Sequence, residues 1–427
     1  MGLRSLKNTA LLLVIFLVSC ANAQKDKFEA ADESTAMKTE PIIITAADQT
    51  ELYLPKLTGK RVGVVANQTS VIFKVQNFQS INPNKGEYKE RTIENRFTHL
   101  IDSLISLNIK VEKVFSPEHG FRGTADAGEL VKDGIDAKTG LSIISLHGKN
   151  KKPTLEQMQN IDIMVFDIQD VGVRFYTYLS TLHYVMEACA EANIPLLVLD
   201  RPNPNGQYVD GPVMEKRNFN FLGLHPVPLV YGMSIGEYAK MINGEKWLAN
   251  EIQCDLTVIN LKNYTHDSEY NLAIRPSPNL PNDQAIKLYP SLGLFEGTDV
   301  NAGRGTDFQF QRYGAPFLDS TYFDFNYTPV ENFGAKFPKH KDETCFGEDL
   351  SKTQIGREMT LKWIIEAYQY SSDKAKVFNS KNFTAHAGTD KLQKQIEEGL
   401  SEKEIKNSWS ADIEAFKKIR EKYLIYN

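Results

Sequence analysis

Four short apolar runs in the first half of the chain each stop at a cluster of polar, chemically capable residues. The runs cover residues 61–66, 109–115, 161–166 and 194–199. They are rich in β-branched residues and lack clear polar alternation, which predicts strands buried on both faces in a parallel sheet covered by helices. In such sheets ligands bind beyond the carboxyl ends of the strands. The polar clusters are therefore predicted to meet along one edge of a single sheet.

Helical patterns separate the predicted strands. Residues 91–107 and 178–192 repeat apolar side chains every three to four positions, and Asn193 is suited to the left-handed end of the second helix. Ser234 and Glu237 have the spacing of a capping box that opens a further helix. The alternation of strands and helices predicts an α/β fold with a Rossmann-like doubly wound sheet. No G-x-G-x-x-G follows the first strand, which argues against a dinucleotide enzyme.

The second half of the chain has a different character. We predict a Rossmann-like domain over residues 51–265 and a smaller α+β C-terminal domain over residues 266–427. Residues 271–316 are rich in proline, glycine and asparagine and predict a long loop, and such a loop in a compact domain is usually functional. Strands are expected around residues 310–350. Helices are expected near residues 354–370, 390–400 and 411–423.

The first fifty residues predict export. A basic start precedes an apolar segment at residues 10–18, which is too short for a membrane-spanning helix and is typical of a signal peptide. The segment ends in LVSC, which resembles the lipobox of bacterial lipoproteins and implies cleavage after residues 1–19 and lipidation of Cys20. Residues 20–50 are polar and predict a flexible tether. The alternative is a plain secretory signal in which Cys20 is incidental.

Charge and cysteine spacing exclude several classes of protein. The net charge of −5 and the isoelectric point near 6.0 argue against a nucleic-acid-binding surface. Cys189, Cys254 and Cys345 are far apart and have no CxxC spacing, which argues against a zinc site built from cysteines. We expect no metal and no cofactor. The sequence leaves the oligomeric state open.

Glu118 is the first candidate for chemistry. It follows the second predicted strand and a Ser-Pro turn, with His119 beside it. A carboxyl group in an apolar crevice has a raised pKa because desolvation disfavours its charged form, and it can then act as a general acid near neutral pH. The alternative is that Glu118 caps a turn or pairs with Arg122.

Two carboxyl groups, Asp167 and Asp170, stand at the end of the third predicted strand. Together they could bind a cation or a sugar, or they could pair with Arg174. Tyr176 offers a flat apolar face with a hydroxyl group, the type of side chain that stacks on sugar rings. Packing in the core is the alternative for this tyrosine.

Two loops supply the remaining candidates. Arg201 and Asn203 follow the fourth predicted strand in a proline-stiffened loop, and an arginine fork suits a substrate carboxylate. A glycine-rich loop further along could approach a ligand closely, and it lacks the ending of a phosphate-binding P-loop. Its polar candidates are Glu296, Asp299, Asn301 and Arg304.

Seven motifs in this order resemble the NamZ family of exo-β-N-acetylmuramidases, formerly known as a domain of unknown function. They are NQTS at Asn67, FSPEHGFRG at Phe115, VFDIQDVGVRFYTY at Val165, LDRPNPNG at Leu199, YGMSIGEYA at Tyr231, PSPNLP at Pro276 and LFEGTDVNAGRGT at Leu294. The resemblance covers roughly residues 50–425. It implies a Rossmann-like catalytic domain and an auxiliary C-terminal domain, with the active site between them. It also implies release of N-acetylmuramic acid from the non-reducing ends of peptidoglycan fragments.

The resemblance places the family glutamate of the SPEHG motif on Glu118, which would protonate the leaving oxygen. The second carboxylate that glycosidases usually need stays open. Its candidates are Asp167, Asp170, Glu296 and Asp299. The 2-acetamido group of the substrate is an alternative nucleophile.

Three arginines are candidates for binding the lactyl carboxylate of muramic acid: Arg174, Arg201 and Arg304. Further candidates for substrate binding lie on the same motifs: Asn67, His119, Arg122, Tyr176, Asn203, Tyr231, Asp299 and Asn301. Tyr231 marks a departure, because many members of the family have histidine at this position. The resemblance therefore carries no role of that histidine over to this chain.

We therefore expect a lipid-anchored glycosidase that acts on muramyl saccharides and faces the periplasm. One alternative is a non-catalytic lipoprotein that binds cell-wall sugars, which would need no acid. Another is a metal-dependent hydrolase that uses His119, Asp167 and Asp170 and loses activity in chelator.

Overall fold

The computed structural model describes residues 42–73, 97–122 and 133–427. Its strands are β1 (Arg61–Ala66), β2 (Val71–Phe73), β3 (Phe97–His99), β4 (Lys110–Ser116), β5 (Gly134–Ile135), β6 (Ser142–Ser145), β7 (Ile163–Asp167), β8 (Leu196–Leu199), β9 (Leu256–Ile259), β10 (Arg312–Ala315), β11 (Phe325–Tyr327) and β12 (Cys345–Asp349). The α-helices are Thr50–Leu57, Leu100–Ser106, Tyr178–Ala192, Ile235–Gly244, Asp283–Leu292, Lys362–Gln369, Ser380–Ala387, Lys391–Glu397 and Glu402–Arg420.

A seven-stranded sheet runs in the order β5-β6-β4-β1-β7-β8-β9. All of its neighbouring strands are parallel except the pair β5 and β6. β1 lies between β4 and β7, so that Val64 pairs with Val114 on one side and with Val165 on the other. The four strands predicted from apolar runs are confirmed as β4, β1, β7 and β8, which are consecutive in the sheet.

Alternate residues of each central strand enter two separate apolar cores, one on each face of the sheet. Val64 and Val165 pack in the core that contains the helices Thr50–Leu57 and Leu100–Ser106. Val65 and Phe166 pack in the other core, with the helices Tyr178–Ala192 and Ile235–Gly244. Helices therefore cover both faces, and the prediction of a doubly wound α/β sheet is confirmed.

The C-terminal part is a smaller α+β arrangement, as predicted. β12 pairs antiparallel with both β10 and β11 to form a three-stranded sheet. The apolar core on one face of the large sheet continues through Phe295, Tyr313 and Trp363 to Trp409. Continuous packing of this kind holds the loops of the C-terminal part over the large sheet.

Several predicted elements differ from the structure. The helix predicted near residues 354–370 begins only at Lys362, and the helix predicted near residues 411–423 spans Glu402–Arg420, where Ser401 caps its start. Residues 97–99 of the predicted helix 91–107 form β3, because they pair with β2, and the helix begins at Leu100. Residues 91–96 lie outside the described residues. The predicted loop 271–316 contains the helix Asp283–Leu292, where the Asn282 side chain accepts a hydrogen bond from the Ala285 amide at 2.9 Å. An N-terminal cap of this kind allows a helix between proline-rich flanks.

Local end signals are confirmed elsewhere. Asn193 ends its helix with a φ of 53°, and Ser234 and Glu237 form the predicted capping box. Within the described residues no helix has the length and apolarity that crossing a membrane requires. The predicted signal peptide and Cys20 lie outside the described residues.

Candidate active site

A cavity of about 750 Å³ lies at the carboxyl-end edge of the large sheet, between loops that follow its strands and loops of the C-terminal part. Six of the predicted site residues line it: Glu118, His119, Tyr176, Glu296, Asn301 and Arg304. The first three come from the large sheet and the last three from the C-terminal part. The fold thus brings together side chains almost two hundred residues apart.

The backbone around Glu118 forms a tight turn directly after β4. The Gly120 amide donates to the carbonyl oxygen of Pro117 at 3.1 Å, and His119 has a φ of 71°. A positive φ at the third residue is the signature of a type II turn, and it is unusual for a residue other than glycine. Unfavourable backbone of this type is concentrated at functional sites, where the surrounding structure maintains it.

The carboxyl group of Glu118 is oriented by the start of the helix Tyr178–Ala192. Thr177 Oγ1 donates to Glu118 Oε2 at 2.9 Å. The Tyr178 hydroxyl lies 3.5 Å from the carbonyl oxygen of Glu118 and accepts a hydrogen bond from Asn67 Nδ2 at 2.9 Å. Asn67 is fully buried, so its contribution to the cavity is to position Tyr178.

A second carboxyl group of the cavity, Glu296, is held by Arg304. Burial opposes ionisation of Glu296, but the charges of Arg304 and Lys339 outweigh this effect, so that the pKa of Glu296 lies below its ordinary value. Lys339 Nζ donates to the carbonyl oxygen of Phe295 at 2.8 Å and also to that of Thr298. These contacts keep a cation and an ionised carboxylate side by side.

The sequence did not predict several residues of the cavity, among them His386, Tyr289, Lys339 and Phe337. His386 lies in the helix Ser380–Ala387, and its Nδ1 is 2.8 Å from the carbonyl oxygen of Asn382. Burial lowers the pKa of His386, which favours the neutral imidazole. No recognisable motif surrounds His386, Lys339 or Phe337. Tyr289 lies in the segment 271–316, which was predicted to be functional as a whole without singling out this residue.

Asp167 and Arg201 form an ion pair in the interior rather than a wall of the cavity. Arg201 donates from Nε to Asp167 Oδ1 at 2.6 Å and from Nη2 to Asp167 Oδ2 at 2.9 Å. Asp167 is fully buried, and Arg201 is 3% exposed. Arg201 also donates to the carbonyl oxygen of Val71 at 3.0 Å, which ties β2 to the end of the large sheet.

Arg174 is likewise buried, and it connects the two parts of the protein. Its Nη1 donates to the carbonyl oxygens of Pro212 and Val227, both at 2.9 Å. Its Nη2 donates to those of His386 at 2.9 Å and Ala387 at 2.8 Å. Burial lowers the pKa of Arg174 to about 10. The residue therefore positions the helix end that carries His386, and it does not line the cavity.

Asp170 and Tyr231 form a buried pair behind the cavity. The Tyr231 hydroxyl donates to Asp170 Oδ2, and the Gly172 amide donates to the same oxygen at 2.7 Å. Burial raises the pKa of Asp170 to about 6. Asn203 is also internal, since its Nδ2 donates to the carbonyl oxygen of Met233 at 2.8 Å.

Two further predicted residues lie away from the cavity. Arg122 pairs with Asp136, with Nη2 and Oδ2 at 2.8 Å. Asp299 lines a different cleft, together with His340.

Among the described residues, no three histidine, cysteine, aspartate or glutamate side chains converge so that they could hold a metal ion. His119, Asp167 and Asp170, the residues of the metal-dependent alternative, therefore form no such group. The two aspartates are instead engaged with Arg201 and Tyr231.

A doubly wound α/β protein whose cavity contains two glutamates, an arginine and aromatic rings has the site of a hydrolase for a sugar-sized substrate. Comparison with known proteins specifies the family. Residues 62–284 match the N-terminal domain of the exo-β-N-acetylmuramidase NamZ, and residues 287–426 match its C-terminal domain. The chain therefore belongs to the NamZ family.

Individual relatives agree with this assignment. The chain is 37% identical over 393 residues to the peptidoglycan β-N-acetylmuramidase NamZ of Bacillus subtilis strain 168, covering 88% of this chain and 89% of that protein. A crystal structure of a DUF1343 family protein from Bacteroides fragilis NCTC 9343 is 42% identical, with a TM-score of 0.78, and the match covers 90% of this chain and 99% of the other. A second such protein from the same strain is 25% identical, with a TM-score of 0.71 and the same coverage.

Proposed function

We propose that this protein is an exo-acting β-N-acetylmuramidase that releases N-acetylmuramic acid from the non-reducing ends of peptidoglycan fragments. The observation that carries the proposal is the position of Glu118 in a cavity of sugar size, within a chain that is similar along most of its length to a peptidoglycan β-N-acetylmuramidase. The carboxyl group of Glu118 protonates the oxygen of the leaving sugar. The hydrogen bond from Thr177 orients one carboxyl oxygen for this step.

Glu296 is the ionised carboxylate of the mechanism. Of the four candidates, Asp167, Asp170, Glu296 and Asp299, it is the one that lines the cavity with Glu118. Its negative charge stabilises the oxocarbenium character that develops at the sugar ring as the bond to the leaving oxygen breaks. The 2-acetamido group of the substrate remains the alternative nucleophile.

Arg304 is the cation that binds the lactyl carboxylate. Arg174 and Arg201 are buried in the interior and do not line the cavity, whereas Arg304 does. Its Nε and Nη2 bind Glu296, and its Nη1 makes no hydrogen bond to any residue that the structure describes. A guanidinium in this position can bind one carboxylate of the protein and one of the substrate at the same time.

The test is hydrolysis of a chromogenic N-acetylmuramide beside the matching N-acetylglucosaminide, with purified mature protein. We expect cleavage of the muramide only. If neither sugar is cleaved while muramyl fragments still bind in calorimetry, the protein is a sugar-binding lipoprotein and the proposal is wrong. If chelator abolishes activity and a divalent ion restores it, the protein is a metal-dependent hydrolase and acid catalysis by Glu118 is not its mechanism.

We also propose that the protein is anchored to a membrane by a lipid on Cys20 and faces the periplasm. The support is the LVSC motif after an apolar segment and the lack of a strong acidic run after Cys20. Wild-type protein should sediment with membranes, and Cys20→Ala should be soluble or unprocessed. Equal solubility of the two forms would contradict the anchor.

A further inference from the structure

A second cavity, of about 500 Å³, adjoins the catalytic cavity. We call it the proline groove, because Pro276, Pro278 and Pro281 form much of its wall together with aliphatic side chains. Ser277 and Leu280 line both cavities. The two spaces are therefore separated by a single short segment of chain.

A tight turn around Gly334 completes this partition. The amides of Asn332 and Ala335 each donate to the other residue's carbonyl oxygen at 3.1 Å, which leaves Phe333 and Gly334 at the tip. Gly334 has a φ of 96°, which favours glycine, and its carbonyl oxygen accepts from Asn279 Nδ2 at 2.7 Å. The turn is thus attached to the partition. Phe333 lines the proline groove, and Ala335 lines the catalytic cavity.

The partition begins beside the backbone of the catalytic acid. The Tyr178 hydroxyl lies 3.5 Å from the carbonyl oxygen of Glu118 and 3.4 Å from that of Pro276. Tyr176 donates to the same carbonyl oxygen of Pro276 at 2.6 Å, and Gln68 Nε2 donates to it at 3.1 Å. One hydroxyl group therefore connects the turn that carries Glu118 to the segment that walls the proline groove.

We propose that the proline groove is the subsite for the sugar on the leaving side of the scissile bond, a proposal that rests on the muramidase function proposed for the catalytic cavity. A general acid must reach the leaving oxygen, so the leaving sugar lies on the side of Glu118. The groove adjoins the catalytic cavity at Ser277 and Leu280, and Pro276 in its wall lies beside the backbone of Glu118. The ring of Phe333, 60% exposed, is another of its walls. A flat apolar ring and proline faces suit the C–H face and the acetamido methyl group of an N-acetylated pyranose.

A binding role of the groove gives a reason for the large exposed aromatic side chain of Phe333. Phe333 is attached by its turn to the partition rather than packed in the core. Exposed apolar groups next to a functional cavity usually mark a binding surface. In this protein they extend the catalytic cavity from one sugar to two.

The experiment compares two substrates that differ only in what occupies the groove. N-acetylmuramyl fluoride has a single-atom leaving group and leaves the groove empty, whereas the disaccharide of N-acetylmuramic acid linked to N-acetylglucosamine fills it. Phe333→Ala should lower kcat/KM for the disaccharide about tenfold and leave that for the fluoride within about twofold. Leu155→Ala is the matched control, because Leu155 is 62% exposed, lies in the segment between β6 and β7 and lines neither cavity.

Each result has a distinct meaning. Equal losses on both substrates, or no loss on either, would overturn the subsite. Failure of the wild-type protein to cleave either substrate would overturn the proposed function instead. Calorimetry with Glu118→Gln keeps the subsite testable without turnover: adding Phe333→Ala should weaken binding of the disaccharide about tenfold but not that of N-acetylmuramic acid. Unchanged affinity for the disaccharide would overturn the inference.

Discussion

Arg304 donates two parallel hydrogen bonds to Glu296, from Nε to Oε1 at 3.1 Å and from Nη2 to Oε2 at 2.9 Å. Arg304 also interacts electrostatically with Glu118. One guanidinium group thus lies within reach of both glutamates of the cavity. Because its charge lowers the pKa of Glu296, that carboxyl group is held ionised, which suits the carboxylate role of a glycosidase rather than the acid role.

Glu118→Gln should reduce hydrolysis of an N-acetylmuramide by about 10²–10⁴-fold, because the change deletes the transferable proton and keeps the shape of the side chain. Thermal unfolding and sugar binding should remain near those of the wild type. Glu156→Gln, in an exposed loop, is the control and should leave the rate unchanged. Turnover by Glu118→Gln within a few-fold of the wild type would eliminate Glu118 as the acid.

In a plot of kcat/KM against pH, the decline on the acid side should occur at higher pH for Arg304→Met than for the wild type. The charge of Arg304 lowers the pKa of Glu296 against the opposing effect of burial, so its loss raises that pKa and Glu296 becomes protonated at higher pH. The measurement is kcat/KM as a function of pH. Arg217→Met, which removes an exposed arginine, is the control. An acid limb that stays in place would show that Glu296 does not control it.

The wild-type protein should prefer N-acetylmuramides over N-acetylglucosaminides by up to about 10⁴-fold, because the wrong sugar offers no carboxylate to Nη1 of Arg304, the nitrogen that Glu296 does not bind. Arg304→Met should narrow this ratio mainly by slowing the muramide reaction. Arg304→Lys keeps the charge but loses the planar fork. Its ratio of muramide to glucosaminide rates should therefore lie between those of the wild type and Arg304→Met. Similar wild-type rates on the two sugars would refute carboxylate recognition.

Arg201→Met should lower the free energy of unfolding by about 3–5 kcal/mol, because it leaves the fully buried carboxylate of Asp167 without its partner. Arg61→Met is the matched control. Arg61 forms a similar two-bond pair with Asp162 on the surface, and its loss should cost much less because solvent screens the pair. Urea unfolding measures both. Equal costs would mean that burial of the Asp167–Arg201 pair is not what determines its contribution.

Asp170→Asn isolates the effect of one buried carboxyl group on the way the free energy of unfolding depends on pH. Burial raises the pKa of Asp170 to about 6, so the folded state binds the proton more tightly than the unfolded chain, in which the pKa is near 3.8. This contribution is fully present only below the unfolded pKa of 3.8, and it is lost as the pH rises through the folded pKa of about 6. It amounts to about 3 kcal/mol.

The free energies of unfolding of the two proteins should be compared at each pH. Neutral buried histidines such as His99, whose pKa burial lowers to about 4, change total stability in the opposite direction. The difference between wild type and Asp170→Asn removes their effect. That difference should fall by about 2 kcal/mol between pH 4 and 7, and a flat difference would contradict the prediction.

The sequence predicted the elements whose signals are local. β1 has the predicted bounds, and the end of the helix at Asn193 is where the pattern indicated. Strand β3 was missed because its three residues are a strand only through pairing with β2. The helix Asp283–Leu292 was missed because prolines and glycines on both sides conceal its short apolar pattern.

The sequence likewise predicted only part of the candidate site. The motifs alone nominated Glu118, Glu296 and Arg304, which line the cavity, and equally Asp167 and Arg201, which do not. All of these are charged residues at strand ends or in loops, so residue type and spacing cannot distinguish them.

What the sequence determined by itself was the parallel sheet, its strand ends and the membership of the chain in a family, since these depend on residue type and order along the chain. The tertiary structure decided which charged residues face the cavity. Asp167 is neutralised in the interior by an arginine 34 positions away, and the guanidinium of Arg174 is held by carbonyl oxygens as far as 213 positions away. Burial and pairing are properties of the folded chain, because they depend on which groups displace water around each charge.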